Sequence, residues 1–560
     1  MNDLQKSFAL GAPNFRDPKL ARCAREQGAL AAWQSALDRG AHAATALAEG
    51  EFAVALREPS GRTFLAVDRF AIRTLCYRVT QGQLRFAVRA DALVDPGSTP
   101  DLDPQAIFDY LYFHVIPSPR TIFKGVFRLP PGHYALYENG QLTVAPYWVP
   151  EFDDGSAPVR LPAAKAEFRQ LLREAVSTQL DGSKPACFLS GGTDSSTIAG
   201  MIGEVTGQPA ATYSIGFEAE GYDEMEYARI AARHFHTEHH EYYVTPADLV
   251  ASIPSVAAHY DQPFGNSSAL PAYYCARMAH DDGVSRLLAG DGGDELFGGN
   301  TRYARQRVFG WYDDVPAGVR HKLLEPLFGL PAVAQTPLLR KGASYIAQAR
   351  VPMPDRMHTY NQLMRMGVGN VFTEGFLASV DVAGPAAQQR GVWQAARTGS
   401  LVNRMLAYDW RYTLAENDLP KVVGTTQLAQ TSVGFPFLDP QLLALSLRMP
   451  PDAKLKRLKL RWFFKEALRG FLPDQIITKK KQGFGLPFGV WAMRDEKLHR
   501  LAADSLGSLA ARGIVRPAFL QQLLDEQLPE HPSFYGEMVW ILMMFEQWLQ
   551  RHAPHFAFER

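Results

Sequence analysis

Apolar residues between positions 50 and 145 fall into short runs broken by turns. Three of these runs mix alternation of apolar and polar residues with short apolar stretches: 51–57, 63–67 and 83–87. Such runs, bounded by Ser-Gly and Gln-Gly pairs, predict short β-strands. Residues 130–144 predict a β-hairpin, because Asn139-Gly140 stands between two strand-like runs.

From about residue 160 the pattern changes to alternating strands and helices. A polar stretch at 151–158 is interpreted as the linker before this change. The predicted elements then follow in turn: helix 163–180, strand 186–189, helix 196–206 and strand 211–217. This order predicts a parallel sheet with right-handed crossovers. We therefore expect two domains, at 1–150 and 160–555.

Helical patterns dominate beyond residue 300. One amphipathic helix is predicted from the spacing of six apolar residues: Leu460, Phe463, Phe464, Ala467, Leu468 and Phe471.

Composition narrows the classes of function. The chain has 560 residues, with 58 Lys and Arg against 58 Asp and Glu. A formal net charge of zero argues against a nucleic-acid or anionic-membrane partner. The apolar run at 538–545 is far too short for a bilayer span, and the N-terminus has no signal-peptide pattern. The four cysteines lie far apart, which fits a reducing compartment, so a cytoplasmic protein is expected.

The stretch Phe188-Leu-Ser-Gly-Gly-Thr-Asp-Ser-Ser196 carries the strongest chemical signal. It follows a predicted buried strand and opens a predicted helix, where backbone N–H groups attract an anion. Gly191 and Gly192 permit a tight turn, and nearby serine hydroxyls add donors. Asp194 would repel a bare phosphate, so we interpret it as a ligand for a phosphate-bound Mg²⁺. A chance Gly-Gly turn beside a serine helix cap is the alternative.

This loop resembles the SGGxDS pyrophosphate loop of the N-type ATP pyrophosphatases, and further landmarks narrow the resemblance to the asparagine synthetase family. These landmarks are Ser214-Ile-Gly-Phe217, His239-His-Glu241, Asp261-Gln-Pro-Phe264, Ser268-Ala-Leu-Pro271, the string 289–299 (AGDGGDELFGG), Phe435-Pro-Phe-Leu-Asp439 and the string 479–485 (KKKQGFG). They occur in the family's order and span roughly residues 185–490.

The resemblance implies an α/β fold. It comprises an N-terminal α+β sandwich remnant of the Ntn type, a doubly wound parallel sheet of the ATP pyrophosphatase class and a helical C-terminal part. It also implies that ATP is bound with Mg²⁺, a carboxylate is adenylated, and an amine or ammonia attacks to form an amide.

Site residues follow from the same resemblance. The nucleotide-binding residues would be Leu189, Ser190, Gly191, Gly192, Thr193, Asp194, Ser195, Ser196, Ile215 and Gly290. Asp194 and Asp294 would hold Mg²⁺. Asp291 would act as a base or orient the substrate, and Lys481 would stabilise phosphate charge.

Other polar residues receive simpler interpretations. His239 and His240 are not accompanied by a set of metal ligands and are interpreted as structural. Asp439 is interpreted as a helix cap before Pro440. Glu295 remains open between a supporting partner and an ordinary helix acid.

The N-terminal part departs from the family's glutaminase pattern. Complete relatives begin with a cysteine nucleophile after Met1, whereas position 2 here is Asn and Cys23 lies well inside the chain. The strings 50–56 and 68–77 resemble the middle of that domain, but an Asn-Gly-Glu string has no counterpart. Glutaminase activity is therefore expected to be lost.

A second departure lies before Phe435. The family carries Glu-Val-Arg there, whereas this chain has Ser432-Val-Gly434, preceded by Lys421-Val-Val-Gly424. The expectation is that charged groups near the substrate pocket have been replaced, which places free aspartate in doubt as the substrate.

Three hypotheses stay open from the sequence. The first is an ammonia-using asparagine synthetase. The second is a specialised amide ligase similar to lasso-peptide cyclases and β-lactam synthetases, acting on a small-molecule or peptide carboxylate. The third is a non-catalytic scaffold, which the retained ATP loop disfavours. A homodimer is one open oligomeric state.

Overall fold

The fold is described from a computed structural model. It describes residues 6–558 apart from 96, 98, 156–158, 331–336 and 481–484, and for residues 337 and 338 it describes the backbone alone.

The described residues of the N-terminal part form three antiparallel sheets, one of them only the pair β2–β3, and four α-helices. Its strands are β1 (Phe8–Gly11), β2 (Asn14–Phe15), β3 (Ala48–Glu49), β4 (Phe52–Arg57), β5 (Thr63–Val67), β6 (Cys76–Thr80), β7 (Gln83–Ala87), β8 (Phe127–Arg128), β9 (His133–Glu138) and β10 (Gln141–Pro146). Its helices are α1 (Pro18–Gln27), α2 (Ala29–Leu37), α3 (Ala41–Ala46) and α4 (Pro104–Phe113). The three predicted strands and the hairpin are confirmed, and Asn139 and Gly140 have the positive φ of a tight turn.

The larger sheet of this part is covered on both faces. Its order is β1-β4-β5-β9-β10, and the second sheet has the order β7-β6-β8. Alternate residues of β4 divide between two cores: Val54 packs with the helices α1–α3, while Ala53 packs with Tyr77 and Phe86 of the smaller sheet. The result is a layer of helices on a two-sheet sandwich, as the resemblance implied.

The second part is built on a five-stranded parallel sheet. Its strands are β11 (Ala186–Phe188), β12 (Ala211–Phe217), β13 (Glu238–Val244), β14 (Arg286–Leu288) and β15 (Ser432–Gly434), in the order β13-β12-β11-β14-β15. All four pairings are parallel. Strands β12 and β13 follow β11 on one side, up to one edge of the sheet. Strands β14 and β15 lie on the other side of β11. The order in which the strands are added to the sheet therefore changes direction between β11 and β14.

Helices cover both faces of this sheet. They are α5 (Leu161–Gln179), α6 (Thr193–Thr206), α7 (Met225–Phe235), α8 (Pro246–His259), α9 (Ala269–Asp281), α10 (Gly293–Phe297) and α11 (Thr301–Asp313). Cys187 and Leu288 pack against α5, α6 and α7, whereas Ala186 and Leu287 face α9. The predicted doubly wound parallel sheet is confirmed. Helix α6 begins three residues before the predicted start because Gly192 ends the turn.

The remainder of the chain is mainly helical. Its longer helices are Pro337–Ala349, Gly384–Ala395, Leu401–Asp409, Leu419–Leu428, Pro440–Arg448, Trp462–Leu468, Glu496–Ala510 and Pro532–His552. Shorter helical segments are Ala317–Val319, Arg320–Leu324, Glu325–Gly329, Gln362–Met366, Val368–Val371, Glu374–Leu377, Pro451–Lys454, Asp474–Thr478, Phe488–Ala492, Pro517–Gln522, Leu523–Gln527 and Leu528–Glu530. The helix predicted over 460–471 is shorter, since Leu460 ends a two-residue strand and Phe471 follows the helix.

A π-helix connects two of the longer helices. It spans nine residues, Trp410–Asp418, and joins Leu401–Asp409 to Leu419–Leu428. Across the described residues, no helix is both long and apolar enough to pass through a bilayer.

Candidate functional site

A large cavity opens beside β11 and β14, where the strand order of the parallel sheet changes direction. Its volume is about 1080 Å³, and its wall includes residues that follow β11, β12 and β14 at their carboxyl ends. Open parallel sheets bind ligands at such reversal points, because the two adjacent loops diverge there and leave a crevice. The volume is at the upper end of the range for small-molecule sites.

The loop between β11 and α6 turns tightly against a neighbouring helix. Gly191 has a φ of +67°, and a Cβ there would lie 2.4 Å from the backbone nitrogen of Ala228 in α7. A side chain at this position would therefore meet both backbone strain and a backbone clash. Only glycine lets the loop approach α7 this closely while the N-terminus of α6 faces the cavity.

Serine hydroxyls hold the inner side of this loop. The backbone N–H of Ser190 donates to Ser195 Oγ at 3.1 Å, and the two hydroxyls are 3.0 Å apart. Ser214 Oγ in β12 donates to the carbonyl of Leu189. These bonds fix the loop to the first turn of α6, where unpaired backbone N–H groups attract anions.

The loop after β14 lies directly against the start of α6. A Cβ at Gly290 would lie 2.8 Å from the backbone nitrogen of Ser195, and a Cβ at Gly293 would lie 2.3 Å from Asp194 Oδ1. Glycine at 290 is therefore required by the close approach of two backbones, whereas glycine at 293 makes room for the Asp194 side chain. This packing brings Asp294 at the start of α10 toward Asp194.

Arg461 joins the two aspartates. Its guanidinium donates to Asp194 Oδ1 at 2.8 Å and to Asp194 Oδ2 at 2.9 Å, and it forms an ion pair with Asp294. The Arg461 side chain is 8% exposed, against 18% for Asp194 and 14% for Asp294. Two largely buried carboxylates thus converge on one positive group, which offsets the cost of placing both charges there.

Lysines surround the same end of the cavity. Lys479 Nζ forms a 2.9 Å ion pair with Glu224, lies 4.3 Å from the ring centroid of Tyr227 and is 3.5 Å from the Gly191 carbonyl. Lys465 and Lys480 also line the cavity. This end is therefore suited to a ligand with several negative charges.

A second charged group occupies another part of the cavity wall. Lys421 Nζ lies 2.9 Å from Asp418 Oδ1 and 3.9 Å from Asp291 Oδ1. Burial raises the pKa of Asp291 to about 6, Lys421 opposes this rise, and Asp418 adds to it. Asp291 is thus a carboxyl group that can exchange a proton near neutral pH.

Comparison with known proteins agrees with this arrangement. Residues 167–550 match the family described as asparagine synthase, and residues 32–148 match a glutamine amidotransferase domain. The chain belongs to the asparagine synthase family. It is thereby an ATP-dependent ligase of the asparagine synthase type, as the resemblance implied.

Curated relatives extend over most of the chain. Asparagine synthetase (glutamine-hydrolyzing) 1 of Bacillus subtilis is 24% identical over 493 residues, covering 86% of this chain and 74% of that protein. A putative asparagine synthetase (glutamine-hydrolyzing) of Mycobacterium bovis is 27% identical over 524 residues, covering 90% and 77%. A putative asparagine synthetase (glutamine-hydrolyzing) 2 of Methanocaldococcus jannaschii is 32% identical over 244 residues, covering 43% and 47%.

Most of the predicted site residues of this family member lie at one cavity. Its wall includes the following predicted residues: Leu189, Ser190, Gly192, Thr193, Asp194, Ser195, Ile215, Gly290, Asp291 and Asp294. Gly191 and Ser196 are not on that wall: Gly191 turns against α7, and Ser196 is fully buried in α6. Lys481 and Asn2 lie outside the described residues. The catalytic, nucleotide and metal roles of these residues stay predictions.

Sequence reasoning missed several charged residues of the site. Arg461 precedes an apolar helix and has a positive φ of 52°, for which the sequence gives no signal. Lys479 belongs to the run of three lysines, but the resemblance to the family assigned the phosphate role to Lys481 instead. Asp418 and Lys421 line the cavity, so charged residues stand on this side, while the replacement of the family's charges at 432–434 stays a prediction. Ser432 and Gly434 belong instead to the edge strand β15.

Three residues outside the cavity follow their structural interpretations. Asp439 caps the helix Pro440–Arg448 by accepting from the backbone N–H of Gln441. His239 Nδ1 lies 2.9 Å from Thr212 Oγ1, and His240 stacks on Tyr213 within the sheet.

The charge on Lys421 should set the pH dependence of the amide-forming step if Asp291 acts as a base. An ionised Asp291 is then the active form, so the rate should rise with pH through about 6. Lys421→Met removes the cation that lowers the pKa of Asp291, so the midpoint should move to higher pH. The profile of kcat/KM against pH measures this shift. Lys497→Met, at an exposed position, should leave the midpoint in place, and an unchanged midpoint in Lys421→Met would exclude Asp291 as the base.

Proposed function

We propose that this protein adenylates the side-chain carboxylate of aspartate, or of a closely related small acid, and transfers the acyl group to ammonia or an amine. One observation carries the proposal. A single cavity combines an anion-binding loop at 189–192 with the separate charged group of Asp291, Asp418 and Lys421. The first part suits the phosphates of ATP, and the second suits a substrate that carries both carboxylate and ammonium groups.

The phosphate side is assigned to α6 and its loop. Backbone N–H groups at the start of α6 would donate to the phosphates. Arg461, Lys465 and Lys479 would balance the charge that develops when pyrophosphate leaves. Ile215 in β12 and Gly290 in the loop after β14 both line the cavity, so we assign them to the adenosine. Lys481 is a further candidate from the family register alone.

Magnesium fits the carboxylate pair. Asp194 and Asp294 already converge on one positive charge, and Mg²⁺ commonly takes one or two carboxylates together with phosphate oxygens and water. Within the described part of the chain, no group of three or more acidic, His or Cys residues forms a closed metal site. We therefore assign Mg²⁺ to Asp194 and Asp294 together with the nucleotide. When bound, it would neutralise phosphate charge during adenylation.

The substrate side is assigned to Asp291, Asp418 and Lys421. Lys421 would pair with a substrate carboxylate, and Asp418 or Asp291 would pair with an ammonium group. A base at Asp291 would then accept a proton from the attacking amine. These charges favour a small amino-acid substrate over the specialised peptide or β-lactam chemistry, for which no observation in the cavity argues.

The amine is proposed to come from solution or from a second substrate. An amidotransferase needs an accessible thiolate. The four cysteines are Cys23, Cys76, Cys187 and Cys275. Three of them are buried, and burial raises the pKa of each.

Glutamine should therefore fail to replace ammonium. The expected result is that glutamate release from glutamine stays at the rate seen without protein, during turnover with ATP and the carboxylate. Amino-acid analysis of the reaction measures this directly. Glutamate released in step with the amide product would show that the N-terminal domain is an active glutaminase.

The function is tested by AMP release from Mg·ATP with aspartate, with and without ammonium, together with the mass of the product. Asparagine formed only with ammonium supports the proposal. If AMP release stays at background with aspartate but rises with another carboxylate, that carboxylate is the substrate in place of aspartate. No AMP with any carboxylate would contradict the proposal.

A further inference from the structure

A buried ion network connects the N-terminal part to the segment that carries Asp418 and Lys421. Its centre is Glu416, whose side chain is 3% exposed. Arg128 Nη2 in β8 donates to Glu416 Oε2 at 2.6 Å, and Ser118 Oγ donates to Glu416 Oε1 at 2.7 Å. Arg411 forms a further ion pair with Glu416. Two residues of the N-terminal part therefore hold one carboxylate of the ligase part.

The network is charged and confined. Burial raises the pKa of Glu416, but Arg411, Arg128 and Ser118 together outweigh burial and hold that pKa below its ordinary value. The Arg128 side chain is 11% exposed and also donates to the Ile116 carbonyl at 2.7 Å. An ionised carboxylate with buried partners in fixed directions leaves little freedom to the segment that carries it.

That segment is the π-helix Trp410–Asp418, which leads into Leu419–Leu428. Residues two apart on a helix point to nearly opposite sides, so Glu416 faces the N-terminal part while Asp418 reaches the cavity. Pro420 lacks the N–H that would bond the Glu416 carbonyl in a regular helix, which favours the wider turn here. The position of Glu416 thus determines where Asp418 and Lys421 stand beside Asp291.

We propose that Arg128 and Ser118 are positioning residues for the ligase reaction, acting through Glu416 on Asp418 and Lys421. The N-terminal part then serves as an internal support for the substrate side of the cavity, whatever its own history as an amidotransferase. This inference rests on the proposed function, since it assigns the carboxylate substrate to Asp418 and Lys421.

The expected signature is a split between the two substrates. Arg128→Gln should raise the KM for the carboxylate by about 10-fold, because a small displacement of a binding group has a large effect on a positioned substrate. The KM for ATP should change by less than about 2-fold, since the loop at 189–192 belongs to other elements. Ser118→Ala should shift the carboxylate KM in the same direction by about 3-fold, and Arg128→Lys should restore part of the loss.

A double variant separates this path from general damage. Arg128→Gln combined with Glu416→Gln should be no worse than Glu416→Gln alone, because both changes break one connection. If the loss in the double variant equals the product of the two single-variant losses, the proposed path is contradicted. Ser118→Ala keeps the test usable if the arginine variant fails to fold.

Arg85→Gln is the matched control. Arg85 lies on β7 of the same three-stranded sheet, is 19% exposed and pairs at 2.7 Å with Asp95, which also belongs to the N-terminal part. It should leave both KM values unchanged. Hydrogen exchange over residues 410–421, measured without substrates, should speed up in Arg128→Gln and not in Arg85→Gln.

The outcomes are distinct. If Arg128→Gln matches Arg85→Gln in exchange and in KM, the inference is overturned while the proposed function stands. If the wild-type protein forms no AMP with any carboxylate, the proposed function fails. Hydrogen exchange then still decides whether the N-terminal part controls the segment 410–421.

Discussion

Replacing Asp194 by alanine should lower AMP formation by about 100- to 1,000-fold. Asp194 is one of the two carboxylates that meet at Arg461, and it stands in the first turn of α6 beside the loop at 189–192. Its loss would remove one of the two proposed Mg²⁺ ligands and leave Asp294 as the remaining carboxylate of the pair at Arg461. Carboxylate-dependent exchange between ATP and pyrophosphate measures the effect on the first half-reaction.

Glu204→Gln is the control for Asp194→Ala. Glu204 lies near the other end of α6 and forms an exposed ion pair with Arg173 at 2.7 Å. Exposed pairs of this kind contribute at most about 1 kcal/mol to stability, so exchange and thermal unfolding should both stay near wild type. Normal exchange by the Asp194 variant would show that the loop does not hold the reacting phosphates.

Replacing Gly191 by alanine should remove most activity and also destabilise the fold. The positive φ strains any residue with a Cβ by about 1–2 kcal/mol. The Cβ would also meet the backbone of α7 at 2.4 Å, so the loop or the helix must move. We expect a loss of AMP formation of about 100-fold or more, because the N–H groups of the loop would be displaced from the phosphates. Turnover and thermal unfolding measure the two effects.

Gly207→Ala separates strain from displacement. Gly207 ends the same helix with a φ of +68°, almost equal to that of Gly191, but no atom lies within 4 Å of its Cβ position. This variant should carry the backbone strain and keep the activity. Equal losses of activity in both variants would mean that the close approach to α7 has no role in catalysis.

Local features of the fold could be read from the sequence. The strands β4 and β5 are buried on both faces, and short apolar runs bounded by turns mark them in the sequence. The hairpin of β9 and β10 follows from Asn139-Gly140. Helices α1–α3 were missed. Helix α2 has small apolar residues around its surface, so no clear helical stripe marks it.

The candidate site also has one part that the sequence predicts and another part that it does not. The loop at 189–196 was recognisable because its glycines, serines and aspartate are adjacent in sequence. Arg461 and Lys421 come from segments more than 200 residues away, and their roles depend on chain crossings that no local pattern records. The charge beside Asp291 was not predicted: Lys421 was noted in the sequence, but its position in the helix after the π-helix, with Asp418 next to Asp291, was not.

Transfer of oxygen isotope tests the central claim most directly. An aspartate labelled with ¹⁸O in its side-chain carboxylate is turned over with Mg·ATP and ammonium, and the nucleotide and phosphate products are examined by mass spectrometry. Adenylation joins a carboxylate oxygen to the α-phosphorus, and attack by the amine leaves that oxygen on AMP. The account predicts one ¹⁸O in each AMP formed together with the amide. Appearance of the label in inorganic phosphate, with ADP as the nucleotide product, would contradict it.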